Sequence, residues 1–258
     1  MSSIALEVQG LQKTYHKDAR ALQILDIERF AAREGEFITV IGPSGCGKST
    51  FLHIMGGFIP ADRGAIRVYG RDVSGPGPDR GMMFQEFALF PWKTVAGNVA
   101  WGLETQGVPR AEIEATVQRQ LEMTGLADFR NHYPAELSGG MKQRVALARV
   151  LAFDPKVLLM DEPFGALDAQ TREAMQEEVM RLWARTRKTI VFVTHDIEEA
   201  VYLGDRVVVL TARPGRIREE VAIDLPRPRE LDIKKSARCH EYRNYVWDLI
   251  RSEAQRGK

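Results

Sequence analysis

The chain has 258 residues, which suffices for one large α/β domain or two modest ones with a sizeable core. Hydrophobic residues make up 44% and charged residues 28% of it, proportions that are ordinary for a soluble globular protein. The formal net charge is +1, so no overall basic field indicates nucleic acid as an obligatory partner. The two cysteines, Cys46 and Cys239, lie far apart, which argues against a disulfide framework and for a reducing, cytosolic setting.

The N-terminal segment predicts strands of a sheet. Apolar residues alternate with other residues over positions 4–8, and apolar positions recur over 22–27. The first eight residues contain no basic stretch and no long apolar core, so we expect no signal peptide. Apolar runs such as residues 207–210 have the length of a strand and are too short to span a bilayer.

Residues 42–49 match the phosphate-loop pattern G-x-x-x-x-G-K-[ST] at every fixed position. A predicted strand over 37–41 precedes them and a predicted helix over 50–55 follows, which disfavours a chance glycine-rich turn with an exposed lysine. The glycines let backbone N–H groups turn toward phosphate oxygens, Lys48 would reach the β- and γ-phosphates, and the Ser49 hydroxyl would ligate Mg²⁺. The predicted nucleotide-binding residues of this segment are Gly42, Pro43, Ser44, Gly45, Cys46, Gly47, Lys48, Ser49 and Thr50.

Beyond the phosphate loop, predicted strands and helices alternate. The strands lie at residues 65–69, 81–84, 156–161 and 189–194, and a long helix is predicted over 169–187. This alternation is typical of a parallel sheet covered by helices.

Two stretches differ from that alternation. Helix formers dominate residues 95–152, which we interpret as a helical subdomain inserted between two strands of the sheet. After a proline-rich break at 226–229, a charged helix is predicted over 234–255.

A second chemical feature is the pair of adjacent carboxylates, Asp161 and Glu162, at the end of an apolar run. In a nucleotidase with a phosphate loop, the acid that closes this strand lies beside Ser49 and helps to hold Mg²⁺. Glu162 could then act as the general base that polarises the water attacking the γ-phosphate. By itself such a pair is commonly a solvated loop entry, but the phosphate loop favours the catalytic role.

Residues 137–144, LSGGMKQR, resemble the signature motif of ABC-type ATPases, and they precede the acid-closed strand as in that family. Ser138 would cap a helix, and Gly139 and Gly140 would open its N-terminus to a phosphate. The resemblance implies that this helix end closes on the γ-phosphate bound by a second copy, whereas the alternative is an ordinary capped helix after a turn. The Met-Lys that follows the glycines replaces a more frequent Gln-Gln, which should not affect the phosphate contact.

Other positions match this family, and the resemblance implies a role for each. Tyr15 stands where an aromatic ring stacks on adenine, with an ordinary strand-end tyrosine as the alternative. Gln85 resembles the glutamine that touches Mg²⁺ and the attacking water and senses the membrane partner. Asp168 ends a loop that resembles the one crossing the dimer interface, and His195 resembles the switch histidine, although a lone histidine is usually structural. The implied catalytic residues are Lys48, Gln85, Glu162 and His195, and the implied Mg²⁺ ligands are Ser49, Gln85 and Asp161.

The resemblance extends from Tyr15 to about Ile223 and implies the α/β fold of a P-loop NTPase. In ABC-type ATPases this fold has a RecA-like core, an N-terminal antiparallel β-subdomain and an inserted helical subdomain. We expect the ATPase domain at residues 4–225, with its helical subdomain at about 89–152, and a short C-terminal helical extension at 226–258.

Several features favour the separate ATPase subunit of an importer. We find no fused membrane span, a single cassette, and no long coiled coil or zinc-type cysteine pair. The roughly 35 residues after Ile223 are too few for the β-barrel regulatory domain of sugar-, polyamine- and iron-type importers. Residues 78–85, 89–99 and 225–229 are similar to the nitrate, sulfonate and taurine subfamily, so we expect import of such a small anion, driven by ATP binding and hydrolysis.

The alternative from another class is a non-transport ABC ATPase, an ATP-driven clamp or assembly factor that acts on a soluble partner. A switch GTPase is disfavoured, because the sequence has no Asn-Lys-x-Asp motif to read the base.

The implied mechanism needs partners. Two copies would bind MgATP between the phosphate loop of one and the signature motif of the other, docked on integral membrane permease subunits and indirectly on a solute-binding protein. The subunit would lie peripherally at the cytoplasmic face of the inner membrane and would bind no nucleic acid. Four apolar residues would line the groove for a permease helix or pack within the helical subdomain: Phe87, Leu89, Phe90 and Trp92.

Cys46 lies beside Lys48 at a predicted helix N-terminus. That position predicts a stabilised thiolate whose alkylation blocks nucleotide binding. The alternative is a residue that merely fills a variable loop position.

Overall fold

The computed structural model describes residues 3–17 and 20–256. The described strands are β1 Ile4–Lys17, β2 Arg20–Arg33, β3 Phe37–Ile41, β4 Arg63–Val68, β5 Arg71–Asp72, β6 Arg80–Met83, β7 Val157–Asp161, β8 Thr189–Val193, β9 Arg206–Leu210 and β10 Ile217–Ala222. The described α-helices are α1 Lys48–Met55, α2 Val95–Thr105, α3 Arg110–Met123, α4 Gly139–Leu151, α5 Ala169–Thr186, α6 Ile197–Leu203 and α7 Ala237–Arg256. Across these ranges, no helix combines the length and the apolar character that crossing a bilayer requires.

The N-terminal sheet is antiparallel, with strand order β2-β1-β4-β5. Leu6 lies opposite Ala32 and Val8 lies opposite Phe30, and all four side chains are buried. Alternate residues therefore face the core, as the period-two pattern of the sequence predicts. This sheet confirms the expected N-terminal antiparallel β-subdomain.

The second sheet has the order β10-β9-β3-β8-β7-β6, and its strands run parallel except for β10 at one edge. β3, β7 and β8 are buried along their whole length, which explains their continuous apolar runs. Because the carboxyl ends of parallel strands share one edge, three predicted site segments meet there. They are the phosphate loop after β3, the acids at the end of β7, and His195 after β8.

Helices α2, α3 and α4 form the inserted helical subdomain that the sequence predicts. They pack around Val99, Leu121 and Val145, all of which are buried. Gly102 lets α2 lie directly against Phe153, since a Cβ at Gly102 would come within 1.8 Å of the Phe153 ring.

The C-terminal helix starts later than the sequence predicts. A 3₁₀ turn, Leu231–Lys235, occupies the beginning of the segment expected to be helical over 234–255. Ser236 Oγ accepts a hydrogen bond of 3.2 Å from the backbone N–H of Cys239, and this cap starts α7 at the next residue. α7 then buries apolar side chains, among them Val246, against α6 and β9.

Candidate nucleotide site

The phosphate loop at residues 42–49 connects β3 to α1 in a conformation that suits glycine. Gly45 and Gly47 have φ angles of 73° and 101°, in the left-handed region. A Cβ at Gly47 would also come within 2.8 Å of a Leu25 methyl group, so the loop lies tightly against β2. The first backbone N–H groups of α1 have no partner within the helix, which is the arrangement that binds anions.

Lys48 directs its ammonium group back over this loop. Its Nζ donates hydrogen bonds of 3.0 Å and 3.2 Å to the backbone oxygens of Gly42 and Pro43. The side chain is buried, so its positive charge is stabilised by neutral carbonyl groups. The ammonium group and the N-terminus of α1 therefore lie side by side as two favourable partners for an anion. An anion placed there would gain both interactions. Of the remaining loop residues, Ser44 is exposed and Thr50 is half-buried on α1.

Ser49 and Asp161 meet where the phosphate loop faces the end of β7. Ser49 Oγ donates a hydrogen bond of 2.9 Å to Asp161 Oδ1. A hydroxyl and a carboxylate are oxygen ligands of the kind that Mg²⁺ uses beside nucleotide phosphates. Among the described residues, no group of three or more His, Cys, Asp or Glu side chains is placed to hold a metal ion.

His53 also reaches Asp161 and was not predicted as a site residue. Its Nε2 lies 3.3 Å from Asp161 Oδ2. Burial raises the pKa of Asp161, and the Ser49 hydrogen bond and the nearby His53 oppose that rise. His53 lies on α1 beyond the phosphate-loop pattern, so no motif in the sequence indicated this contact.

Glu162 and His195 form the second pair at this edge. His195 Nδ1 lies 2.9 Å from Glu162 Oε2. Glu162 has a φ of 43°, a costly conformation for a residue with a side chain. Its backbone N–H donates to the Val193 oxygen at 3.0 Å, and this bond ties the turn after β7 to β8. The turn thus places the predicted base beside the predicted switch histidine.

Gln85 lies close to the same turn. It is exposed just after β6. A Cβ at Gly165 would lie 3.8 Å from Gln85 Nε2 and 3.4 Å from the Glu162 backbone oxygen. The structure therefore brings Gln85 near the turn that carries Glu162, and the residue is exposed.

The signature residues form the start of α4, as predicted. Ser138 Oγ accepts a hydrogen bond of 3.3 Å from the backbone N–H of Met141, and both Ser138 and Gly139 are exposed. Gly140 is buried, and a Cβ there would come within 2.6 Å of the Thr171 methyl group on α5. The helix start is therefore seated on α5 with its outer residues facing solvent.

Asp168 caps α5 directly beneath the signature residues. It accepts hydrogen bonds from the backbone N–H and the hydroxyl of Thr171, at 3.0 Å and 2.6 Å. These bonds lower the pKa of the Asp168 carboxyl group. Thr171 thus contacts both Asp168 and Gly140, and it links the predicted interface loop to the signature helix.

Tyr15 lies near the end of β1, opposite Leu22 on β2, and 42% of its surface is exposed. The Lys13 ammonium lies 5.5 Å from the centre of its ring, and Lys13 is in turn bound to Asp62 at 2.9 Å. An exposed ring of this kind remains suitable for stacking on a base.

The predicted thiolate at Cys46 is wrong. Cys46 is only 1% exposed, and burial raises the pKa of its thiol despite the nearby Lys48. Desolvation of a thiolate outweighs one favourable charge in such a position. Cys46 thus behaves as a residue that fills the base of the loop.

Arg213 supports the phosphate loop, although no motif in the sequence predicts this contact. Its Nε donates a hydrogen bond of 3.0 Å to the backbone oxygen of Gly45. The adjacent Gly215 is required for close approach, since a Cβ there would come within 2.2 Å of the Cys46 backbone oxygen. The Pro-Gly pair at 214–215 predicts a turn. It does not predict that this turn contacts the phosphate loop.

An apolar groove lies between the core and the helical subdomain. It encloses about 450 Å³, and its lining includes Phe58, Phe84, Trp101, Arg149 and Phe153.

None of the four residues predicted to line a groove or to pack internally belongs to the lining of this groove, and two of them are packed against the core. Phe87 and Leu89 pack partly buried against the core clusters. Phe90 stacks on Trp101, with ring centres 4.8 Å apart, and Trp92 is 72% exposed. Only the latter two therefore extend the aromatic surface beside the groove.

Comparison with known proteins agrees with these observations. The ABC transporter family model matches residues 25–165, more than half of the chain. A nitrate import ATP-binding protein from Synechocystis sp. is 45% identical over 252 residues, which cover 95% of this chain and 95% of that protein. A taurine import ATP-binding protein from Roseobacter denitrificans is 46% identical over 238 residues, which cover 89% of this chain and 88% of that protein.

A similar solved structure is a dimeric ATP-binding cassette in a post-hydrolysis state bound to ADP and Pi. It matches with a TM-score of 0.74 and 32% identity, covering 86% of this chain and 100% of that chain. Together with the site geometry, this likeness defines a P-loop ATPase of mixed α/β fold. The chain belongs to the ABC transporter family and is an ATP-binding ABC-type ATPase.

Proposed function

We propose that the chain is the ATP-hydrolysing subunit of an importer for nitrate, a sulfonate such as taurine, or a similar small anion. The catalytic part depends above all on one observation. The Ser49–Asp161 hydrogen bond and the Glu162–His195 contact, each 2.9 Å long, lie at one edge of the parallel sheet. The import part is supported by the two relatives named as nitrate and taurine import proteins.

Nucleotide binding assigns a task to each residue of the phosphate loop. Lys48 would move its hydrogen bonds from the Gly42 and Pro43 oxygens to the β- and γ-phosphates, while the loop N–H groups bind phosphate oxygens. Ser49, Asp161 and Gln85 would hold Mg²⁺, which neutralises phosphate charge when bound. Tyr15 is proposed to stack on the adenine.

Hydrolysis would proceed at Glu162. One of its carboxylate oxygens faces His195 Nδ1 at 2.9 Å, which leaves the other free to accept a proton from the attacking water. His195 is proposed to contact the γ-phosphate, so the contact between the two residues orients the base relative to the substrate. Gln85, near the same turn, would position the water.

A second copy would complete the site. Ser138 and Gly139 are exposed at the start of α4, where free N–H groups attract an anion. We propose that they close on the γ-phosphate held by the phosphate loop of the partner, with Asp168 at the interface between copies. The dimeric arrangement of the solved cassette supports this.

The groove beside the helical subdomain is proposed to receive a permease helix. Its aromatic lining and the exposed Trp92 suit an apolar helix face. Docking there would place the subunit at the cytoplasmic face of the membrane, where a solute-binding protein acts only indirectly. Gln85 would sense the docked permease.

Purification and reconstitution test this function. We expect the chain to co-purify with an integral membrane protein, and a Trp92→Asp variant to lose that association while keeping its own ATPase activity. In proteoliposomes, nitrate or taurine with its binding protein should stimulate ATP turnover. Co-purification with a soluble partner alone would instead identify an ATP-driven clamp or assembly factor.

A further inference from the structure

A buried hydrogen-bond relay starts at the end of β8, next to His195. Thr194 Oγ1 donates a hydrogen bond of 2.5 Å to Glu199 Oε2. Gln176 Nε2 on α5 donates one of 2.9 Å to Glu199 Oε1. Thr194, Gln176 and Glu199 are all buried, so these bonds face no competition from bulk water.

The outer end of the relay is Lys234, in the 3₁₀ turn before α7. Its Nζ donates a hydrogen bond of 2.9 Å to Gln176 Oε1 and lies 4.9 Å from the centre of the Tyr202 ring. The carboxylates of Glu173 and Glu198 lie 3.8 Å and 3.5 Å from the same ammonium group. The Lys234 side chain is 11% exposed, and its position is therefore well defined.

The chemistry of the groups gives the relay a direction. A lysine ammonium only donates, so it selects the orientation of Gln176 in which the amide oxygen faces outward. The amide N–H₂ group then faces Glu199, whose other oxygen binds Thr194. The backbone N–H of Asp196 donates to Thr194 Oγ1 at 3.0 Å, so the relay holds the backbone on both sides of His195.

The environment of Glu199 makes the Gln176 bond important. Burial raises the pKa of Glu199, while the hydrogen bonds from Thr194 and Gln176 oppose that rise. Without Lys234, the buried Gln176 Oε1 loses its ammonium donor, and the Gln176 side chain is no longer fixed in place against Glu199. Glu199 would then lose a donor, and the Thr194 contact would lose its support.

We propose that Lys234 is a positioning residue for ATP hydrolysis, acting through Gln176, Glu199 and Thr194 on the backbone that presents His195 to Glu162. The inference rests on the proposed role of His195. It also gives the C-terminal extension a task, because displacement of that segment would remove Lys234 from the relay.

The first test replaces Lys234 in the full-length chain. Lys234→Met should lower kcat for ATP hydrolysis about tenfold and leave KM for ATP unchanged. The reason is that the relay reaches the backbone around His195 and not the phosphate loop. Lys234→Arg retains a donor and should keep most of the activity. The control is Lys235→Met in the same turn, because the Lys235 side chain is 82% exposed and, within residues 3–17 and 20–256, forms an ion pair with its neighbour Asp232 alone. It should leave kcat unchanged.

A double-mutant cycle separates the relay from a general loss of stability. Gln176→Leu should lower kcat like Lys234→Met, and the double variant should be no slower than the slower single variant. Additive losses, or equal kcat values for Lys234→Met and Lys235→Met, would overturn the relay. Melting temperatures of all variants show whether any loss merely follows unfolding.

His195→Ala distinguishes failure of the relay from failure of the proposed site. A large loss of kcat in His195→Ala with none in Lys234→Met would disprove the relay and leave the proposed role of His195 intact. Full activity in His195→Ala would contradict the proposed contact of His195 with the γ-phosphate. The relay proposal, which depends on that contact, would then fail as well.

Discussion

The phosphate-loop edge and the signature-helix start differ in how far their polar groups find partners within the chain. At the phosphate loop, Lys48 is buried on backbone oxygens and Ser49 is bound to Asp161 at 2.9 Å. At the signature helix, Ser138 Oγ bonds within its own first turn and, among the residues that the structure describes, with nothing beyond it, and Ser138 and Gly139 face solvent. The difference teaches that the polar groups of the phosphate-loop edge are paired by folding, whereas the outer residues of the signature-helix start stay open to solvent, as the proposed contact with a second copy requires.

The largest expected effect is a loss of ATPase activity from a change at the phosphate-loop edge. Glu162→Gln keeps the shape of the side chain but removes the base, so kcat for ATP hydrolysis should fall about 10³-fold. The affinity for ATP should stay the same, because Glu162 is not part of the phosphate loop. Phosphate release and equilibrium nucleotide binding measure the two quantities. A variant that retains a tenth or more of the wild-type kcat would disprove the assignment of the base.

The next largest effect is expected from a change at the start of the signature helix, α4. A Cβ at Gly139 would lie 3.4 Å from the Leu167 side chain, so Gly139→Asp fits without a clash. Its carboxylate would occupy the anion site and repel the partner's γ-phosphate, and we expect about a 100-fold loss of ATPase activity. The same charge favours a helix N-terminus, so the melting temperature should not fall. Gly139→Ala is the uncharged control and should keep most activity; equal losses in both variants would exclude repulsion as the cause.

Most of the site could be predicted because its chemistry requires contiguous residues. The phosphate loop, the Asp161–Glu162 pair and the signature residues are each restricted by a local backbone geometry. The alternation of strands and helices placed the loop and the acid pair at one sheet edge, whereas the signature residues start α4. The likeness to the solved cassette and the order of strands in the two sheets confirm the fold class from which those positions were inferred.

The remaining contacts could not be predicted because they join residues far apart in the sequence. Arg213 reaches Gly45, and Lys234 reaches Gln176, through the packing of elements that no short motif connects. The error at Cys46 has the same origin. Its neighbour Lys48 suggested a stabilised thiolate, but only the tertiary structure reveals that the thiol is buried.

A smaller effect tests how closely the signature helix, α4, packs against α5. Gly140→Ala would force a Cβ to within 2.6 Å of the Thr171 methyl group, which should destabilise the fold by about 1–3 kcal/mol. Thr171→Ser in that background removes the methyl group and keeps the hydroxyl bond to Asp168, so it should restore the melting temperature. Thermal unfolding compares the three proteins. No loss in Gly140→Ala would contradict the close packing of α4 on α5.

The smallest effect concerns the base of the phosphate loop. Burial raises the pKa of Cys46 above its ordinary value of 9.0, so the reactive thiolate is scarce at pH 7 and increases only as the pH approaches the raised pKa. Alkylation by iodoacetamide at pH 7, followed by mass spectrometry, should be about tenfold slower than in the unfolded chain. Labelling as fast as in the unfolded chain would contradict the buried, neutral thiol.

Mixing two inactive variants tests most directly whether each site is shared between copies. Lys48→Ala lacks a working phosphate loop, and Gly139→Asp lacks a working signature helix, so neither should hydrolyse ATP alone. In a mixed dimer, the loop of the second variant faces the signature helix of the first, and one intact site is restored. We predict recovery of up to about a quarter of wild-type activity on equal mixing, since half the dimers are mixed and each has one of two sites. Activity that stays at the sum of the separate variants would contradict a site shared between two copies.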